Sequence, residues 1–147
     1  MKKSAIAALV LAATALSAAA QQIKPESQIK LRKSAYALMN YNFGSLAAMA
    51  EDKKPYDKDV AGRNADMIAM LSDVPKGFFG EGTDKGETKA KPEIWQKRSD
   101  FDAKMDKMIA EAKKLPQAVR TDLAALRKAV GDAGDACKAC HDDYRAK

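Results

Sequence analysis

Cys137 and Cys140 are the only cysteines of the 147-residue chain, and His141, directly after them, is its only histidine. Two thiols and one imidazole therefore share the stretch CKACH, residues 137–141, beside the C-terminus. In a helix these positions lie three and four apart, on one flank. With a rise of ~1.5 Å per residue the two sulfurs stand about a turn apart, which suits two covalent attachments to the edge of a flat macrocycle, with the imidazole reaching a metal at its centre.

A C-x-x-C-H run is the pattern of c-type haem attachment. On this reading Cys137 and Cys140 form thioethers to haem c, one haem per chain, and a nitrogen of His141 is the proximal iron ligand. Three rival chemistries use the same residue types. A thioredoxin-like pair would sit where a strand meets a helix N-terminus, which lowers a thiol pKa, whereas this pair ends an all-helical chain. Zinc would need a fourth ligand from Asp142, Asp143 or elsewhere. Inert buried cysteines are the blandest case, but exported free thiols are prone to oxidation. Gly131 and Gly134 precede the motif in the same helix, at a cost of ~1 kcal/mol each relative to Ala. Either the backbone there approaches the cofactor or a neighbouring helix closely, or the helix kinks.

Export is itself predicted. Residues 1–20, MKKSAIAALVLAATALSAAA, pair Lys2 and Lys3 with a short apolar run and end in an A-x-A cleavage site, so a signal peptide is expected and a mature chain starting at Gln21. The run is shorter than the ~20 residues that span a bilayer. The remaining 127 residues make one domain, 21–147. Losing Lys2 and Lys3 takes the formal charge from +6 to +4, spread among alternating acidic and basic residues, with no nucleic-acid footprint. A periplasmic location follows, with no membrane partner after cleavage. A disulfide between Cys137 and Cys140 would close a loop too small to restrain the unfolded chain.

Four helical segments must position the motif, and no strand alternation competes with them. The first, about Pro25 to Glu51, carries Tyr36, Met39, Phe43 and Leu46 on one apolar flank and Leu31, Ala35, Leu38 and Met49 on another. Two flanks need two partners, which points to a homodimer through this helix. The second opens at an Asp57 N-cap and repeats Val60, Asn64, Met67, Leu71 and Val74 before Pro75. Residues 75–92, PKGFFGEGTDKGETKAKP, form the one long connection. The third helix starts at Pro92 and the fourth follows Pro116, with Cys137, Cys140 and Tyr144 on its core stripe. Such helices pack most economically as an antiparallel up-down-up-down four-helix bundle.

With these elements in place, GDACKACHDDYR (134–145), LRKSAYALM (31–39), FFGEGT (78–83) and KPEIW (91–95) together resemble cytochrome c prime, the class II c-type cytochromes. The likeness covers essentially all of the mature chain. It implies a four-helix bundle with covalent haem whose iron is pentacoordinate, held by His141 alone. By position in the motifs, Tyr36 would stand at the distal site, Arg32 near the propionates, Phe79 beside the haem and Arg145 next to His141. Low-spin relatives of the fold instead place a first-helix methionine on the iron, for which Met39 is the residue available here. The implied function is reversible binding of NO and CO, with NO scavenging or sensing as its purpose. The alternative is electron transfer to a redox partner, with the positive surface steering an acidic partner. No second cofactor site, acid–base pair or triad points to an enzyme.

Overall fold

Helix α1 (Pro25–Ala50) opens on a proline, whose missing N–H is no loss in a first turn. In this structure, a computed structural model, residues 23–147 are described; the expected signal peptide lies outside them. After α1 come α2 (Lys58–Leu71), a 3-10 turn (Val74–Phe78), α3 (Glu93–Gln96), α4 (Arg98–Ala112), α5 (Leu115–Thr121) and α6 (Leu123–Tyr144). The long helices α1, α2, α4 and α6 form the antiparallel four-helix bundle that the periodicity predicts. Among the described residues the only β-pairing is an isolated bridge between Ala90 and Arg145.

The Asp57 cap is present: its Oδ1 accepts from Asp59 N at 3.0 Å and Val60 N at 2.9 Å. The inward stripe of α2, however, is one residue away from the expected one. Ala61, Ala65 and Ile68 are buried and Ser72 continues the line, while Met67 and Val74 are exposed. Small side chains let α2 approach α1 and α5 closely, so size at the contact line outranks hydrophobicity.

The expected third helix is split at Lys97, which leaves helical backbone at φ −120° and ψ 46°. The preceding turn swings Trp95 toward the long connection, where its Nε1 donates to Gly80 O at 3.1 Å. The expected fourth helix is also split. Asp122 is extended, and its Oδ1 caps α6 by accepting from Ala125 N at 2.7 Å.

One end of the bundle is densely closed. Leu46, Ala61, Ala65, Leu115, Val119 and Leu126 are all fully buried there, and each of the larger ones contributes about 1.5–3 kcal/mol by leaving water. The other end is not filled by side chains. Between the first half of α1, α4 and the second half of α6 lies a cavity of about 1080 Å³, walled on its remaining side by residues of the long connection.

Candidate functional site

The residues that the sequence assigns to the haem site border one cavity: Arg32, Tyr36 and Met39 from α1, Phe79 from the connection, and Cys137, Cys140, His141 and Arg145 from α6 and its end. The motif is helical, as its spacing requires, within a helix unbroken from Leu123 to Tyr144. Neither Gly131 nor Gly134 interrupts it. A side chain at Gly131 would meet open space, whereas Gly134 borders the cavity with Phe43 Cζ 3.8 Å from where a Cβ would stand.

The thiols are protonated. Burial pushes Cys137 up, and burial with the neighbouring Cys137 pushes Cys140 up to about 11. A redox pair needs the opposite shift. Burial, then the nearby Arg145 charge, pull His141 below its ordinary value, which keeps the imidazole neutral and able to ligate a metal. Among the described residues no cluster of three or more His, Cys, Asp or Glu side chains could hold a metal ion by itself.

Arg32 is 2% exposed and pinned by four hydrogen bonds. Its Nη1 donates to Phe78 O and Thr83 Oγ1, both at 2.9 Å, and its Nη2 to Thr83 O at 2.7 Å and Thr88 Oγ1 at 2.8 Å. The guanidinium also lies 4.3 Å over the Phe79 ring. All these partners are neutral, and among the described residues no carboxylate pairs with it. A buried cation beside a cavity without a counter-charge is a site for an anionic group of whatever fills that cavity.

Tyr36 turns its hydroxyl to Met105 Sδ at 3.5 Å, and burial raises its pKa far above the ordinary phenol value. The phenol therefore stays protonated. Phe79, Phe101 and Tyr144 continue the wall through edge-on contacts, with ring centroids 4.8 and 5.4 Å apart.

Two features escaped the sequence reading. Tyr144, assigned there to core packing, borders the cavity while its hydroxyl donates to Asp100 Oδ2 at 2.5 Å. The second is a strap from the long connection that holds the end of the motif helix. Lys91 N donates to Tyr144 O at 3.0 Å, Ala146 N to Lys89 O at 2.8 Å, and Lys91 Nζ to the carbonyls of Asp142 and Asp143. A backbone pairing between distant segments leaves no sequence signal; the KPEIW stretch was the nearest pointer.

These features fit haem c. Two neutral thiols and a neutral imidazole share a flank, apolar rings line the space, and a buried cation waits for a carboxylate.

A family model described as Cytochrome C' matches residues 27–145. A cytochrome c' from Rubrivivax gelatinosus is 44% identical over 126 residues, covering 84% of this chain and 98% of the relative. A crystal structure of cytochrome c' from that organism matches with a TM-score of 0.81 at 44% identity, over 84% of this chain and 98% of its own. A nitric oxide complex of a mutant cytochrome c prime from Alcaligenes xylosoxidans matches with a TM-score of 0.78 at 40% identity, over 84% and 97%. Family match, bundle and cavity agree, and the chain belongs to the cytochrome c' family, whose members carry haem c covalently.

Proposed function

We propose that the mature chain, residues 21–147, is a periplasmic haem protein that reversibly binds NO and CO and serves in NO scavenging or sensing. Cys137 and Cys140 hold the haem through thioethers, and His141 is the proximal ligand. When bound, haem c supplies an iron centre whose remaining position can take a small neutral ligand.

The observation that carries this reading is the chemistry of the wall facing α6. The only histidine is already in the motif, and α1 offers at that wall a protonated phenol, Tyr36, which is a poor metal ligand. Tyr36 and Phe43 restrict the space to small guests, and Arg32 holds a propionate while its loop bonds keep the guanidinium in place. Arg145 shapes the side of His141, to whose carbonyl its own N–H donates at 3.1 Å. The nitric oxide complex of the Alcaligenes xylosoxidans protein supports the same ligand class.

A second reading has its own support: Met39 is buried and borders the same cavity. As an iron ligand it would close the open position and make the protein an electron carrier for a redox partner. An absorption spectrum of the reduced protein with and without CO separates the two. A high-spin spectrum that shifts with CO supports gas binding, and a low-spin spectrum indifferent to CO supports Met39.

No helix among the described residues is long and apolar enough to cross a membrane, and the leader supports export. We read the protein as a binding protein, not an enzyme. Leu31, Leu38 and Tyr41 stand exposed along α1 and support a homodimer through that helix.

A further inference from the structure

We propose that Tyr144 and Asp100 form a one-electron relay that carries an oxidising equivalent out of the haem cavity when the haem meets hydrogen peroxide. The relay rests on the haem reading above.

Tyr144 lies three residues beyond His141 on α6 and is 4% exposed. Its ring borders the cavity and packs edge-on against Phe101, at an interplanar angle of 87°. Its hydroxyl leaves the cavity on the other side and donates to Asp100 Oδ2 at 2.5 Å, in the first turn of α4. Lys104 Nζ bonds the same oxygen at 2.8 Å and is anchored in turn by Asp143 Oδ2 at 2.8 Å. Tyr144 and Asp100 also line a second, polar recess of about 520 Å³. One side chain thus presents its π system to the cofactor space and its proton to a solvent-facing base.

That arrangement matters because a phenol which loses an electron becomes a strong acid and must release its proton. A carboxylate already in hydrogen-bond contact lets both leave together. Bonds from Lys104, then from Tyr144, hold Asp100 below its ordinary pKa, so the acceptor is ionised. Asp100 in turn pushes Tyr144 up to about 12, so the proton is in place at rest.

The other tyrosines lack such a base. Tyr36 faces the Met105 thioether, Tyr56 donates to the Val119 carbonyl, and Tyr41 is 79% exposed on α1.

The balance is as follows. Hydrogen peroxide takes two electrons and two solvent protons and leaves as two waters. When bound, the haem would supply one of these electrons, and the Tyr144 ring supplies the other. The Tyr144 O–H bond breaks, and its proton forms a new O–H bond on Asp100 Oδ2. A neutral tyrosyl radical remains beside the polar recess, where a soluble one-electron reductant can reach it.

The test mixes ferric holoprotein with hydrogen peroxide, freeze-quenches it and reads the electron paramagnetic resonance spectrum. A tyrosyl radical is expected in the wild type and in Tyr41→Phe, which alters a tyrosine away from the cavity, and none in Tyr144→Phe, which keeps the ring against Phe101. In Asp100→Asn, which leaves the tyrosine intact, radical formation should slow on the order of 100-fold. A signal that survives Tyr144→Phe, vanishes in Tyr41→Phe or forms at an unchanged rate in Asp100→Asn overturns the relay. CO uptake by the same preparation keeps the two readings apart: normal uptake with no radical in the wild type overturns the relay alone.

Discussion

The Tyr36 hydroxyl donates to the Met105 thioether at 3.5 Å, so a residue of α1 is tied to α4 across the cavity by its weakest available type of acceptor. The ring thereby borders the cavity without being locked there, and on the proposed function its bulk controls entry.

Tyr36→Ala should raise the CO and NO association rates several-fold, while Tyr36→Phe, which keeps the bulk, should stay near wild type. Stopped-flow mixing of the reduced protein with each gas measures both. Unchanged rates in the alanine variant would show that Tyr36 does not guard the ligand position.

Arg32 holds the long connection to α1 through four bonds. Arg32→Met leaves buried carbonyl and hydroxyl acceptors without a donor and should destabilise the protein by about 2–4 kcal/mol. Arg32→Lys should rescue little, since an ammonium cannot reproduce the fork. Urea titration followed by circular dichroism reads the loss. A lysine variant as stable as wild type would contradict the pinning role.

Leu31 and Leu38 are 44% and 51% exposed, one heptad apart on α1. If this face joins two copies, Leu31→Glu with Leu38→Glu should yield monomers with an unaltered absorption spectrum. Sedimentation velocity decides: a dimer that survives both charges lies on another face.

Asp100 links stability to acid. Its pKa is lower in the folded chain than in the unfolded one, because Lys104 and Tyr144 donate to it. The unfolded state therefore takes up the proton first as pH falls. The contribution is present above the ordinary carboxylate value of about 4 and is lost as pH falls through the folded value. Asp100→Asn should flatten the stability profile in that acid window and leave its shape above pH 6 unchanged. Denaturation midpoints from pH 2.5 to 7 would show it. An identical acid limb in the variant would remove Asp100 from the account.

Much of this protein is decided by local pattern. Residues 137–141 form a helical turn whose spacing alone aims two sulfurs and an imidazole along one flank, and three-four periodicity with proline stops separates the long helices. The Asp57 cap is equally local, because a carboxylate three residues before a free N–H needs no distant partner.

Other features depend on segments far apart in the chain, and only folding brings them together. The stripe of α2 lies one residue from the hydrophobic repeat, since what faces inward there depends on how closely α1 and α5 approach. Arg32 is placed near the propionates by the resemblance, but its burial and its pinning come only when Thr83 and Thr88 close over it. Tyr144 reads as core until Asp100, 44 residues away, takes its hydroxyl. Short-range spacing determined which atoms can hold the haem. The charges and hydrogen bonds around that group were decided by tertiary structure, because burial and long-range partners exist only once the helices have packed.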